Sequence, residues 1–390
     1  MTSSGSAARV VGVDIARFVA LAGMMAIHIL PSYDDGTRDL TFAQSVAGGR
    51  ASALFAVLAG VSLALMYGRT APVRGHAFAA AAAGTAVRAV LIATLGLILG
   101  GFDSGIAVIL TNYGVLFFLG IPFLVLRARW LFVLAALWLV AAPVLAHLVR
   151  PELPPFFYDN PSLESLTDPG RLLGELAFTG YYPAVPWLTY LLVGMAIGRT
   201  DLTRWRAPVV LAAAGGALVT VAIAVSDALL SRPGVKAELV ASFGSTQSLE
   251  AELAHGLRGS TPTDSWWWLA VRAPHTATPF DLAQTIGSAL LVLAICLVLG
   301  RLLPTLTRVL FGAGAMTLTL YTAHVLLRVD LWDGETPSTY FGHVTAALVV
   351  GAAFGLTRTR GPLETLVGEL SNLARRSVGD RHGVGVTGDA

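Results

Sequence analysis

Residues 10–28 read VVGVDIARFVALAGMMAIH, an apolar stretch of about the length that crosses a lipid bilayer as an α-helix. Similar stretches recur along the 390 residues of the chain. Hydropathy predicts about ten spans, at roughly 10–31, 51–68, 77–101, 106–126, 130–149, 182–199, 207–229, 281–300, 307–327 and 343–357. The predicted fold class is therefore all-α, a polytopic helical bundle embedded in a membrane.

The composition supports this class. Of all residues, 55% are hydrophobic and 13% are charged, and the mean hydropathy is +0.70. Soluble domains carry about 25% charged residues, so this chain has roughly half the polar covering that a water-exposed fold needs. We predict one transmembrane domain over residues 1–361, followed by a cytoplasmic tail, amphipathic or disordered, over residues 362–390.

The charges and the single cysteine exclude several functions. A net charge of +2 gives no overall field that would attract nucleic acid. Cys296 is the one cysteine, which excludes an internal disulfide and a cysteine-built metal site. The sequence contains no zinc-protease, Walker or dinucleotide-binding motif, so we expect no metal. A single lysine and an excess of alanine and glycine are typical of a GC-rich bacterial genome.

Arginines set the predicted orientation. They cluster in the short loops on one side of the predicted helices, which the positive-inside rule assigns to the cytoplasm. Both termini are then cytoplasmic, and the protein is a multi-pass protein of the plasma membrane. The arginines on that side are Arg69, Arg74, Arg127, Arg129, Arg199, Arg204, Arg206, Arg301, Arg308, Arg358, Arg360, Arg375, Arg376 and Arg381.

The first predicted helix carries three ionisable residues on one face. Eleven residues separate Arg17 from His28, a rotation of about 1100°, or three turns plus roughly 20°. Asp14 lies one turn before Arg17 on the same face. The rise from Arg17 to His28 is about 16 Å, with the charged pair toward the cytoplasm.

Ionisable groups at membrane depth usually face a bundle interior or a water-filled cavity. A structural interpretation is an Asp14–Arg17 ion pair at the inner interface and a hydrogen-bonded histidine in the core. That ion pair alone would not require a histidine farther along the same stripe. The alignment of all three therefore favours a functional role.

Five stretches resemble the catalytic domain of heparan-α-glucosaminide N-acetyltransferases and their bacterial relatives. They are Val13 to Arg17, Gly49 to Ser62, Tyr182 to Trp187 with Gly194 and Arg199 beyond it, Gly314 to His324, and Gly361 to Glu364. In addition, Arg17 and His28 with ten residues between them resemble the signature of membrane acyltransferases that modify cell-surface glycans. One departure is that lysosomal enzymes usually have Asn at the position of His28. Their proposed catalytic histidine lies in the following loop, and here the loop 31–46 has Asp34, Asp35, Arg38 and Asp39 but no histidine.

The resemblance implies transfer of an acyl group, most simply acetyl, from cytoplasmic acyl-CoA to a sugar hydroxyl or amine of a cell-envelope glycan. His28 would be the general base or nucleophile, Arg17 would contact the donor or position the reacting groups, and Asp14 would orient Arg17. Arg69, Arg74 and Arg127 are candidates for the CoA phosphates. The positive-inside rule alone would also place arginines in those loops.

Candidates for acceptor binding lie near the outer ends of the predicted helices. Tyr321 and His324 either line the acceptor side or form an interfacial polar cap, and Arg50 opens the second span. Trp267 belongs to a cluster of three tryptophans in the outer segment 230–280, which is a platform for stacking on sugar rings or an interface anchor. In the same segment, residues 235–257 are predicted to form a short amphipathic helix.

Two rival functions stay open. One is a secondary transporter or flippase for a glycan or small metabolite, although the paired interrupted helices of two related halves are not evident. The other is a non-catalytic membrane partner with the same fold. The expected partners are acyl-CoA, a sugar or glycan acceptor and the lipid bilayer, with no nucleic acid. The sequence does not fix the oligomeric state, but membrane bundles of this size often form homodimers.

Overall fold

A computed structural model describes residues 10–34, 39–154, 159–303, 312–357 and 359–379. Within those ranges the chain forms fifteen α-helices and no β-strand. The first eight are α1 Val11–Ile29, α2 Phe42–Ala47, α3 Arg50–Met66, α4 Gly75–Gly100, α5 Leu110–Gly120, α6 Ala128–Val149, α7 Pro169–Gly174 and α8 Ala184–Gly198. The other seven are α9 Arg206–Leu230, α10 Val235–Ala241, α11 Thr246–His255, α12 Pro279–Leu302, α13 Thr317–Asp330, α14 Pro337–Thr357 and α15 Pro362–Gly379.

Seven helical segments among the described residues are long and apolar enough to cross a membrane. They are Val11–Ile29, Phe42–Met66, Gly75–Gly100, Ala128–Glu152, Arg206–Leu230, Pro279–Leu302 and Pro337–Thr357. Leu110–Val125 and Ala184–Gly198 are apolar but shorter. The predicted class is confirmed: the chain is an all-helical, polytopic membrane protein. The number of ten crossings and the cytoplasmic termini stay predictions.

Three differences between the predicted and the observed helices bear on the fold. In the fourth span, α5 ends at Gly120 and a 3₁₀-helix over Ile121–Val125 follows, because Pro122 has no N–H to continue the α-helical pattern. The tenth span begins at Pro337, six residues earlier than predicted. The single helix predicted over 235–257 is wrong, because Gly244 at φ +74° and the capping hydroxyl of Ser245 divide it into α10 and α11.

Some predicted features lie outside the described residues. Within the ninth predicted span, the described helix is α13, Thr317–Asp330. The following residues fall outside the described ranges: Asp35, Arg38, 307–311 including Arg308, Arg358, and 380–390 including Arg381.

Glycines let helices α3 and α8 cross closely. A Cβ atom on Gly194 would overlap the Val57 carbonyl oxygen, and one on Gly60 would overlap the Leu191 carbonyl oxygen. Contacts between small residues hold membrane helices together where lipid gives no hydrophobic drive between them. The crossing therefore fixes α3 beside α8 at backbone distance.

Helix α1 lies at the centre of the bundle. It packs against α3, α12, α13 and α14, and a Cβ atom on Gly12 would lie 2.6 Å from the Leu297 Cα atom of α12. At its other end, α1 terminates at Ile29 because Pro31 biases Leu30 toward the extended backbone that it adopts. This packing carries His28, in the last turn, to one end of the bundle. We call that end, with the loops beyond Ile29, Gly100 and Leu230, the His28 end.

Helix α15 packs along α4 and fixes the start of α13. The Glu364 carboxylate accepts hydrogen bonds from the backbone N–H groups of Leu318 and Thr319 at 2.7 and 3.1 Å, and from the Thr319 hydroxyl at 2.5 Å. A carboxylate at this position satisfies the free N–H groups of the first helical turn. The predicted tail thus begins with a docked helix. The division of the chain at residue 361 stays a prediction.

Candidate functional site

A cavity of about 1150 Å³ lies at the His28 end of the bundle. Its wall combines the end of α1, the start of α3, the loop after α4 and the polar segments that join α6 to α8 and α11 to α12. Its ionisable lining residues are His28, Asp103, Asp159, Glu164, Asp168, Arg171, Glu175, His255, Arg258, His275, Arg328 and Glu335. The volume is slightly above that of most small-molecule sites, and the lining offers more polar groups than such sites usually have.

His28 is half-buried in this wall and belongs to a row of three histidines on three helices. Its Nδ1 atom lies 3.1 Å from His324 Nε2, and the two ring planes are nearly parallel, with centroids 5.3 Å apart. His324 Nδ1 lies 3.0 Å from His343 Nδ1. His343 Nε2 lies 3.2 Å from the carbonyl oxygen of Trp332. We call His28, His324 and His343 the histidine row.

Arg150 and Asn160 tie the walls of the cavity together. Arg150 donates to the carbonyls of Phe178 and Gly259 at 3.0 and 3.2 Å, which joins the two long polar segments. Asn160 accepts from Val108 N–H and donates to the Ile106 carbonyl, both at 2.7 Å. These bonds hold the non-helical backbone around the cavity without regular secondary structure.

His275 is a second histidine of the cavity wall, in the loop between α11 and α12. Its ring packs against Tyr181 and Tyr182, with centroids 4.7 and 5.8 Å away, and the Gly259 N–H donates to its carbonyl. Burial lowers the pKa of His275 to about 4, so the imidazole is neutral near pH 7. Its Nδ1 atom has no hydrogen-bond partner among the described residues.

Glu175 supplies a carboxyl group to the same wall. It lies in a single π-helical turn, Glu175–Thr179, which follows α7. Burial raises its pKa to about 7, and Asp159 opposes ionisation further, whereas Arg171 favours it. The cavity therefore contains two groups that can be uncharged near neutral pH, an imidazole and a carboxyl.

The family model described as heparan-alpha-glucosaminide N-acetyltransferase, catalytic, matches residues 9–231. The chain belongs to this family. The match extends from the start of α1 to the end of α9, and it confirms the resemblance predicted from the sequence motifs. No curated protein matches the chain.

Membership in the heparan-alpha-glucosaminide N-acetyltransferase family indicates a membrane acetyltransferase in general terms. The matched part includes Asp14, Arg17 and His28, and the arginines predicted to bind the donor. It does not reach His275, His324 or His343. Part of the cavity wall and two members of the histidine row therefore come from beyond the family match.

Asp14 and Arg17 form the predicted ion pair, with Arg17 Nη1 2.9 Å from Asp14 Oδ1. Arg17 Nη2 also donates to the Ser62 hydroxyl of α3 at 2.6 Å. Among the described residues no hydrogen bond or ion pair joins Arg17 to His28, and neither Asp14 nor Arg17 lines the cavity. The Asp14–Arg17 pair and His28 therefore lie on the same face of α1 but about three helical turns apart.

The predicted donor-binding arginines lie near one another at the other end of the bundle. Buried Arg199 donates to the carbonyls of Tyr67 at 2.6 Å, Arg69 at 2.9 Å and Leu124 at 2.6 Å. This joins the loop that contains Arg69 and Arg74 to the turn that precedes Arg127. Arg74 and Arg127 are exposed there, and Arg69 is half-buried with a left-handed backbone. Whether the three bind CoA stays a prediction.

The predicted acceptor-binding residues are dispersed. Arg50 donates to the Ser45 carbonyl at 2.8 Å and lines a separate cavity of about 390 Å³. Tyr321 is buried, and its hydroxyl accepts from Ile109 N–H at 3.3 Å. Trp267 lies 5.9 Å from the Arg232 guanidinium and does not line the cavity. Only His324 is in contact with His28.

Sequence analysis did not select three residues of the site, Glu175, His275 and His343. His343 stands at the first position of the tenth predicted span, and an imidazole in an apolar helix was the available signal. His275 lies in an irregular loop beside the tryptophan cluster, where no periodicity predicts which way a side chain faces. Helix periodicity aligns residues within one helix, whereas His28, His324 and His343 come together from three.

Proposed function

We propose that the protein transfers an acetyl group from cytoplasmic acetyl-CoA, or another acyl group from its CoA ester, to a hydroxyl or amine of a cell-envelope glycan, in the plasma membrane. Membership in the acetyltransferase family supports the reaction class. The position of His28 supports its assignment as the catalytic residue. Its ring is half-buried in the wall of a cavity of about 1150 Å³, and His324 holds it through Nδ1.

His28 is the proposed catalytic residue because the lone pair of a neutral imidazole can take a proton from the acceptor in the transition state or attack the acyl carbon. As general base, it takes the proton from the acceptor O–H or N–H while the oxygen or nitrogen attacks the thioester carbonyl carbon. The C–S bond breaks, and the CoA sulfur leaves with the proton as a thiol. As nucleophile, the same nitrogen would hold the acyl group between the two half-reactions.

The donor is proposed to enter from the end of the bundle opposite to His28, where Arg69 lies. Arg69, Arg74 and Arg127 lie in loops that Arg199 joins, and guanidinium groups suit the phosphates of CoA. The Arg17–Asp14 pair lies on α1 between that end and His28, where it would position the pantetheine arm. On this route the donor and the acceptor would arrive from opposite ends of the bundle, and the acyl group would be transferred at His28.

The acceptor is proposed to bind in the cavity at the His28 end. Its wall holds carboxylates, arginines and the two tyrosines that pack on His275, groups that hydrogen-bond and stack on sugars. Among the acceptor residues predicted from the sequence, His324 does not line the cavity but contacts His28, so its proposed role is to hold the His28 ring. Arg50, Tyr321 and Trp267 stay weaker proposals, because they do not line this cavity.

The test compares His28→Asn with the wild type in nanodiscs supplied with radiolabelled acetyl-CoA. Hydrolysis is followed by thiol release, and transfer is followed with glucosamine and N-acetylglucosamine as soluble amine and hydroxyl probes. We expect His28→Asn to lower kcat by about 10²–10⁴-fold, the usual contribution of a general base.

The matched control is His147→Asn. His147 is another buried histidine, packed on Trp266 and absent from the cavity wall. It should leave kcat within about twofold, the change expected where no interaction with the transition state is lost. Wild-type protein that neither binds nor cleaves acetyl-CoA, or His28→Asn protein with full activity, contradicts the proposal. Counterflow uptake of labelled sugar without acyl transfer would favour a transporter instead.

A further inference from the structure

The histidine row ends at the backbone carbonyl of Trp332, and this carbonyl determines which ring nitrogens of the row carry protons. A backbone carbonyl oxygen only accepts hydrogen bonds, so the contact with Trp332 requires a proton on His343 Nε2. In a neutral imidazole the other nitrogen is then an acceptor, and His343 Nδ1 must accept from His324 Nδ1–H. The same step leaves His324 Nε2 as an acceptor, and His28 Nδ1 must donate to it.

The environment of the row supports three neutral rings. His324 and His343 are 1% and 2% exposed, and within the described chain neither forms an ion pair with a carboxylate. Arg328, one helical turn after His324, adds a permanent positive charge nearby. A buried imidazolium there would lack the anionic partner that buried charges require.

Contacts around the turn after α13 fix the position of the Trp332 carbonyl. Arg328 donates to the carbonyls of Asp333 and Gly334, which fixes the turn just beyond Trp332. The Trp332 ring packs against the His343 ring with centroids 4.6 Å apart, and a Cβ atom on Gly342 would overlap it. The acceptor at the end of the row is thus held on two sides.

We propose that His343 and His324 are positioning residues that hold His28 in the tautomer with the proton on Nδ1 and the lone pair on Nε2. His324 is not part of the cavity wall, so the Nε2 edge is the edge of His28 that remains for the cavity. The nitrogen that can take a proton or an acyl group is then always the one that faces the substrate.

The row orients His28 and does not carry protons away. A carbonyl oxygen cannot take up a proton to pass onward, so the row has no exit at Trp332. A proton gained at His28 Nε2 stays on that ring, whose Nδ1–H continues to donate to His324. The proton therefore returns to the leaving sulfur through the cavity, as the proposed reaction requires.

The first test reads the tautomer itself and does not depend on activity. Wild-type protein, labelled with ¹⁵N-histidine in nanodiscs, is examined by imidazole ¹⁵N NMR at pH 7.5, with the His28 signals assigned by their loss in His28→Asn. We expect His28 to carry its proton on Nδ1. In His343→Phe, which removes the acceptor for His324, we expect a mixture of both tautomers.

The tautomer result decides the inference whether or not the protein proves to be an acetyltransferase. A wild-type His28 with its proton on Nε2 overturns it, as does an unchanged pattern in folded His343→Phe protein. His343→Asn serves as the second variant, because its Oδ1 can take the place of Nδ1 as acceptor. It should keep His28 nearer to the wild-type tautomer than the phenylalanine does.

The second test rests on the proposed function and measures its consequence. His343→Phe should lower kcat by about 10–100-fold, as loss of a partner that orients a functional histidine does, with KM for acetyl-CoA unchanged. His343→Asn should restore part of the rate, and His147→Phe should not change it. A rise in KM with unaltered kcat, or equal losses in both His343 variants, would point to disrupted packing and contradict a positioning role.

Discussion

At the scale of single residues, burial shifts the pKa of two groups in the cavity wall. Glu175 and His275 face the same space, and burial acts on both against the charged form. For the carboxyl group this raises the pKa to about 7, and for the imidazole it lowers the pKa to about 4. At these two positions the wall offers hydrogen-bonding groups that can be uncharged near neutral pH, beside the carboxylates and arginines of the rest of the lining.

Glu175 gives a pH dependence with a definite sign. Its pKa rises from 4.5 to about 7 on folding, so its protonated form stabilises the fold below pH 4.5, and that contribution is lost as pH rises through 7. Glu175→Gln should therefore be more stable than wild type at pH 8, by roughly 1 kcal/mol once screening of this partly solvated side chain is allowed for.

Thermal unfolding in detergent at pH 5 and pH 8 measures this effect. The difference between Glu175→Gln and wild type should grow with pH, whereas Glu164→Gln, an exposed carboxylate of the same wall, should shift Tm equally at both values. A pH-independent difference for Glu175→Gln would show that its carboxyl group ionises as in water.

At the scale of helices, the sequence predicted most of what lies within one element. The first helix was located within two residues at each end, and the Asp14–Arg17 pair followed from its period. Breaks between helices were harder to predict. At Gly244 the helix is interrupted although the amphipathic pattern of the sequence continues past this residue. The cap of α13 could not be predicted, because Glu364 reaches it from a helix that begins after α14.

The Glu364 cap supports the helix that carries His324. Glu364→Ala removes the acceptor for two N–H groups of α13 and should destabilise the protein by about 1–2 kcal/mol, the usual cost of losing a cap. Glu364→Gln keeps one acceptor oxygen and should cost less. Thermal unfolding checks both, with exposed Glu369 on the same helix, replaced by Ala, as the neutral control. Equal unfolding temperatures for Glu364→Ala and Glu369→Ala would show that the Glu364 cap does not stabilise the protein.

At the scale of the whole molecule, the sequence identified the helices but not which loops meet. The cavity wall combines segments near residues 30, 104, 168 and 275, which are far apart in the chain. Their meeting depends on close crossings such as that of Gly60 with Gly194, and hydropathy contains no information about crossings. The acceptor residues proposed from sequence were therefore scattered, whereas the central position of His28 followed from its own helix.

The orientation of the bundle is the last prediction, and the transfer route depends on it. If both termini are cytoplasmic, Ala241 at the His28 end faces outside, and Ala71 in the loop with Arg69 faces the cytoplasm. Both alanines are exposed, and Cys296, the native cysteine, is buried, so Cys296→Ala provides a cysteine-free background. In intact cells, an impermeant maleimide should label Ala241→Cys and should label Ala71→Cys only after permeabilisation. The reverse pattern would place the acceptor cavity in the cytoplasm, where a cell-envelope glycan could not reach His28.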